Sequence, residues 1–136
     1  MDTMVTVSQG EVWADDSGGD GLPLVLLHPG VGDSAVWDPV LPALVARHRV
    51  IRYDVRGYGR SPAPTATYST VRDLSEVLDH FAVERAVLVG SSMGGATSVD
   101  MALESPDAAG TGARRPPDRG AVRRGGLSRR GPGLAE

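Results

Sequence analysis

Ser92 is the residue whose surroundings point most directly to chemistry. It lies in Gly90-Ser91-Ser92-Met93-Gly94, a Gly-x-Ser-x-Gly pattern preceded by the apolar run Ala86-Val87-Leu88-Val89 and followed by a helix-compatible segment. In that context the pattern describes a buried strand, a sharp turn and a helix, with the serine hydroxyl held out from the sheet at the tip of the turn. Gly90 and Gly94 lack a Cβ, so the chain can turn tightly without side-chain clash. The backbone N–H of Met93 opens the helix and points where a substrate oxyanion would form. Helix-terminal N–H groups carry partial positive charge, which suits a developing alkoxide. The alternative is a plain Gly/Ser loop. Strand, motif and helix occurring together favour the catalytic turn.

The rest of the chain reads as elements that position this turn. Residues 4–15 alternate around Ser8-Gln9-Gly10, which predicts a hairpin at a sheet edge. Leu22-Pro23-Leu24-Val25-Leu26-Leu27 is a continuous apolar run, the pattern of a strand buried on both faces of a parallel sheet. Asp38-Pro39 reads as an N-cap and first helical residue, with Trp37, Val40, Leu41, Leu44 and Val45 at helical spacing to about Arg47. Arg49–Tyr53 is the next strand and closes on Asp54. Ser69 or Thr70 caps a further helix, Thr70 and Asp73 coming close to a capping box, and Val71, Leu74, Val77, Leu78 and Phe81 form its apolar stripe. Strand and helix alternate from residue 22, which predicts an α/β protein with a parallel sheet.

Three motifs in this order, His28-Pro29-Gly30, Asp54-Val55-Arg56-Gly57-Tyr58-Gly59-Arg60-Ser61 and the turn at Ser92, resemble the N-terminal half of an α/β-hydrolase-fold serine hydrolase. The resemblance covers residues 4–107. It implies a mostly parallel sheet with flanking helices and a Ser92 nucleophile. The strand of residues 86–90 would be among the central members of the whole fold, and is expected to be left with an open apolar edge where the resemblance stops. The resemblance also implies a second oxyanion donor in the loop after the strand ending at Leu27. Pro29 has no N–H, so Gly30 or Val31 would join Met93 in that role. His28 stands at the wrong strand end to be the family's base and is expected to order its loop. Asp54 and Arg56 are expected to pair and hold the second motif together. The implied reaction is cofactor-independent hydrolysis of a small ester, a lactone or an activated C–C bond, with no metal.

A serine hydrolase also needs a base and an acid, which in this fold follow the nucleophile in the order Asp or Glu, then His. The three histidines are His28, His48 and His80, all before Ser92. Asp100, Glu104, Asp107, Asp118 and Glu136 are the later acids, and none follows a recognisable strand. No triad acid or histidine can therefore be assigned. The 136-residue chain is expected to be an incomplete, catalytically incompetent form of such an enzyme.

Composition changes at the same place. Residues 1–107 hold 7 Arg and 15 acids, while residues 108–136 hold 7 Arg and 2 acids, and the chain has no Lys. Ala, Gly, Pro and Arg fill 22 of those last 29 positions. A frame-shifted reading of a GC-rich gene would have this composition, and disorder is expected from about residue 108. The alternative function is a polyanion-binding module using this basic tail. It has no aromatic residue to stack on bases, so nucleic acid is not the expected partner. There is no Cys, which excludes disulfides. The N-terminus lacks the basic and apolar regions of a signal peptide, and no run approaches the roughly 18 apolar residues of a membrane span. A cytoplasmic protein acting on a small molecule, away from membranes, is the expectation.

Overall fold

A computed structural model of the chain describes residues 1–106. Alternating Val5, Val7, Val12 and Ala14 bury one face of a hairpin. Its strands β1 (Asp2–Val7) and β2 (Gly10–Asp16) pair antiparallel, Val5 opposite Val12, and Gln9 turns the chain at a φ of 60°. β2 continues antiparallel onto β4 (Val50–Tyr53), with Ala14 opposite Tyr53. β3 (Leu24–Leu27) then lies between β4 and β5 (Val87–Gly90) and runs parallel to both, giving the order β1-β2-β4-β3-β5. Of the apolar run expected to be buried on both faces, Leu24–Leu27 forms β3, with Val25, Leu26 and Leu27 buried, while Leu22 precedes the strand and is exposed. The sheet has the expected α/β character, a parallel centre with the hairpin at one edge.

β5 ends the strand order among the described residues, where an open apolar edge is expected. Its outer side is therefore open there, and Val89 is exposed.

Helices α2 (Thr70–His80) and α3 (Met93–Glu104) cover one face. Val25 and Leu27 from β3 and Ile51 and Tyr53 from β4 meet Leu74, Val77, Leu78 and Met101 in the core. Val71 and Phe81 complete the α2 stripe as half-buried members, as their spacing predicted. Ser69 is the N-cap, its Oγ accepting the Arg72 N–H at 3.2 Å. Asp73 is consequently one residue too late for a capping box and does other work.

Alternation along β4 sends Arg52 to the opposite face. There its Nη1 donates to the Ser34 carbonyl at 3.1 Å and to Asp38 Oδ1 at 2.6 Å, fastening a short 3-10 helix (Ser34–Trp37) to the sheet. The helix predicted from Asp38 to Arg47 does not form as such. Asp33, not Asp38, caps the turn, accepting the Ala35 N–H at 2.8 Å. α1 spans only Leu41–Val45. Pro39 and Pro42 remove two of the N–H groups a continuous helix would need. With so short a helix its predicted stripe is not buried, and Val40 and Val45 face solvent.

The predictions made for residues 108–136, disorder and polyanion binding, lie outside the described residues. Among the described residues no helix is long and apolar enough to cross a membrane.

Candidate active site

The turn between β5 and α3 is built by close backbone approaches that only glycine permits. A Cβ on Gly90 would strike the carbonyl of Gly94. A Cβ on Gly94 would strike the Leu27 carbonyl at the end of β3. The Ser91 N–H donates to that same Leu27 carbonyl at 3.2 Å, and the Gly94 N–H donates to Ser91 O at 2.9 Å. The chain therefore reverses against the carboxyl end of β3. Ser92 sits at the apex with φ 52° and ψ −113°, a conformation side chains rarely adopt, and its side chain is exposed. Strain of this kind costs about 1–3 kcal/mol and persists where the surrounding structure imposes it.

Met93 is the first residue of α3, so its N–H has no acceptor within the helix. Its side chain is half-buried against the core and reaches across to the loop after β3. A Cβ placed on Gly30 would lie 3.6 Å from Met93 Sδ and 3.8 Å from Tyr58 Oη. Gly30 thus lies directly beside Met93, while the next residue, Val31, is 94% exposed.

His28 is completely buried at the base of this loop. Its Nε2 accepts the Val55 N–H at 3.0 Å, which leaves the proton on Nδ1, donated to the Pro29 carbonyl at 2.7 Å. Both ring nitrogens are occupied in joining the two loops. The ring also packs on Tyr58 at 5.2 Å between centroids.

Asp54 and Arg56 do not pair with each other, contrary to the sequence reading. Asp54 Oδ1 accepts the Ser34 N–H at 2.8 Å and Oδ2 accepts the Arg60 N–H at 2.9 Å. One buried carboxylate so ties the 3-10 helix to the Gly57–Ser61 turn. Gly59, at a φ of 51°, has no room for a Cβ beside that carboxylate. Arg56 points the other way. Its Nε and Nη2 donate to Asp73 Oδ2 and Oδ1 at 2.8 and 2.9 Å, and further bonds reach the carbonyls of Ser8 and Gln9. Burial pushes the Asp73 carboxyl above its ordinary value, against the pull of the guanidinium, whereas the carboxylate holds Arg56 above its own.

Sequence reasoning missed two contributors. Asp73 looked like a helix-capping acid, because nothing in a linear reading links it to Arg56. Tyr58 lies between two glycines of the second motif with nothing local to single it out, yet its ring packs on His28 and its hydroxyl lies near the Gly30 loop. Among the described residues no group of three His, Cys, Asp or Glu side chains could hold a metal ion.

Residues 23–110 match the alpha/beta hydrolase fold family. The chain is 47% identical over 88 residues to a Variovorax paradoxus protein named "Putative carbamate hydrolase RutD", a match covering 60% of this chain and 33% of that one. It is 36% identical over 112 residues to the sn-1-specific diacylglycerol lipase ABHD11 of Danio rerio, covering 78% and 35% respectively. The structure of Est816, an N-acyl homoserine lactone degrading enzyme, superposes with a TM-score of 0.71 at 33% identity, over 79% of this chain and 42% of that chain. The chain spans about a third of the length of the curated relatives it matches. On the family match and the turn geometry together, the chain belongs to the alpha/beta hydrolase fold family.

Proposed function

We propose that this chain carries the nucleophile and oxyanion half of a serine hydrolase acting on small esters or lactones. The observation that carries the reading is Ser92 at φ 52°, exposed between β5 and α3, with Gly30 lying against Met93. Ser92 Oγ would attack the acyl carbon, and the oxygen that becomes negative would receive the Met93 and Gly30 N–H groups. Gly30 is favoured over Val31 as the second donor. Among the described residues no peptide bond is cis, so the C=O and N–H of the Pro29–Gly30 peptide point in opposite directions. His28 holds that C=O inward, which turns the Gly30 N–H away from the buried ring. His28, Asp54, Gly90 and Gly94 support this geometry without a chemical role, and Arg56 holds the hairpin to α2. The three proteins named above are called a putative carbamate hydrolase, a diacylglycerol lipase and an N-acyl homoserine lactone degrading enzyme, names that support acyl substrates for this chain.

A hydrolase of this type also needs a proton acceptor for Ser92. His28 has both nitrogens engaged, and His48 and His80 lie exposed on the surface. The 136-residue chain alone is therefore a poor catalyst. Losing the base from a triad costs about 10⁶-fold in kcat in subtilisin, the precedent for such deletions.

A chimaera tests the reading: residues 23–106 of this chain replace the matched segment of Est816, which supplies the rest of the fold. The expected result is fluorophosphonate labelling and lactone hydrolysis that both disappear on Ser92→Ala. A folded chimaera that labels equally with and without Ser92 would refute the nucleophile. The free chain should label slowly, and rapid Ser92-dependent labelling there would overturn the missing-base reading.

A further inference from the structure

We propose that Met93 is a site of reversible oxidative modification whose sulfoxide displaces the Gly30 loop. The proposal rests on the serine-hydrolase reading for its consequence, but not for its structural claim. Met93 combines three features found together in no other methionine here. It is half-buried rather than sealed, it follows Ser92 directly, and its sulfur faces the Gly30 loop at the 3.6 Å separation from a notional Cβ. Met101 is 1% exposed within the core, and Met1 and Met4 are exposed on and beside the β1 edge, away from this loop.

In the reaction a peroxide transfers one oxygen to Sδ. The O–O bond breaks, an S–O bond forms, the thioether is oxidised to a sulfoxide and hydrogen peroxide is reduced to water. A flexible apolar group becomes a polar one with a strong hydrogen-bond acceptor. That oxygen has to be accommodated where sulfur now packs on the core edge and on Gly30. Either the Met93 side chain swings out, removing the support of the loop, or the loop turns a backbone N–H onto the sulfoxide. Both responses change the direction of the Gly30 N–H relative to that of Met93, and with it the pairing of two N–H donors at one point.

The test treats the full chain with graded hydrogen peroxide, maps sulfoxides by peptide mass spectrometry and records backbone amide spectra. The expected order is Met1 and Met4 first, Met93 next and Met101 last. The Gly30 and Val31 amide signals should move in step with Met93 oxidation and return after methionine sulfoxide reductase treatment. Met93→Leu should remove that response while Met1 and Met4 still oxidise, and Met93→Gln should shift the same amides without oxidant. Two results overturn the proposal: Met93 remaining reduced until Met101 reacts, or Met93 oxidising while Gly30 and Val31 stay unmoved. These amides report the loop whether or not Ser92 reacts with any substrate. Failure here is thus distinct from failure of the hydrolase reading, which the chimaera tests.

Discussion

Replacing Arg56 by Met should destabilise the fold by about 3–5 kcal/mol, the usual cost of removing one partner from a buried ion pair. The pair meets that condition, since the two side chains are 2% and 4% exposed and joined by two bonds. Ser8 O and Gln9 O also lose a donor, but they lie at the hairpin turn where water can replace it. Against a normal total of about 5–15 kcal/mol, the loss is large enough to read from urea unfolding followed by circular dichroism. The pH dependence carries the sharper test. Burial already raises the Asp73 pKa, and without Arg56 it would rise further. A carboxyl whose folded pKa exceeds its unfolded value near 3.9 is favourable or neutral while protonated. It becomes a burden as pH climbs from there to the raised value, by about 1.4 kcal/mol for each pH unit crossed. Arg56→Met should therefore be closer to the parent at about pH 4 than at pH 7. Arg56→Met combined with Asp73→Leu should recover most of the loss, because no charge is left buried. A single variant losing under about 1 kcal/mol at pH 7, or a double variant as unstable as the single, would refute the assignment.

Other perturbations test the turn and the sheet edge. Gly94→Ala should cost at least about 1–3 kcal/mol, since its Cβ meets the Leu27 backbone and not a movable side chain; neutrality in urea unfolding would contradict that approach. Ser92→Gly should be more stable than Ser92→Ala by about 1 kcal/mol, strain relief of about 1–3 being offset by the glycine entropy cost of about 0.5–1. Equal midpoints for those two variants would argue against the positive φ. Asp16 is pushed up by burial but pulled further down by Arg49 and the Gly18 N–H, ending below its ordinary value. Its contribution is present above about pH 4 and fades as pH falls through the lowered value, so Asp16→Asn should flatten the acid side of the stability curve, and an unchanged acid slope would count against the pair.

The parts legible in the sequence are those whose cause is local. The hairpin follows from two-residue alternation, β3 from an unbroken apolar run, and the Ser92 turn from glycines two residues either side of the serine. Each requirement is met within a few neighbouring positions. The helix expected after Asp38 failed because apolar spacing competed with two prolines and a better cap at Asp33. Arg56 was given the wrong partner for another reason. Asp54 is near it in sequence, but the two side chains project in opposite directions, and the true partner is a carboxylate brought in by α2. Strand order is legible only through the family resemblance, because it depends on crossovers and not on the composition of any strand. The open edge it implies beyond residues 86–90 is where β5 ends the order among the described residues.

Much of the candidate site is backbone. Gly90 against Gly94, Gly94 against Leu27, and the Ser91 N–H on Leu27 O fix the turn to the end of β3 without using a functional side chain. His28 then fixes the neighbouring loop to Val55, so the N–H groups proposed as donors, those of Met93 and Gly30, belong to segments held by residues 27–55 and 90–94. A preorganised donor pair of this kind needs no reorganisation when charge develops on a substrate oxygen, which is where most electrostatic stabilisation of a transition state originates. The Ser92 hydroxyl differs in kind. Backbone geometry can expose it and strain it but cannot take its proton, and the one histidine close by has its two nitrogens committed to backbone groups. His28→Gln should therefore loosen the loop without abolishing a base that His28 never provided. In the Est816 chimaera, that variant should slow Ser92 labelling while leaving the pH at which labelling reaches half its maximum unchanged. A shift in that midpoint would show that His28 exchanges the proton after all.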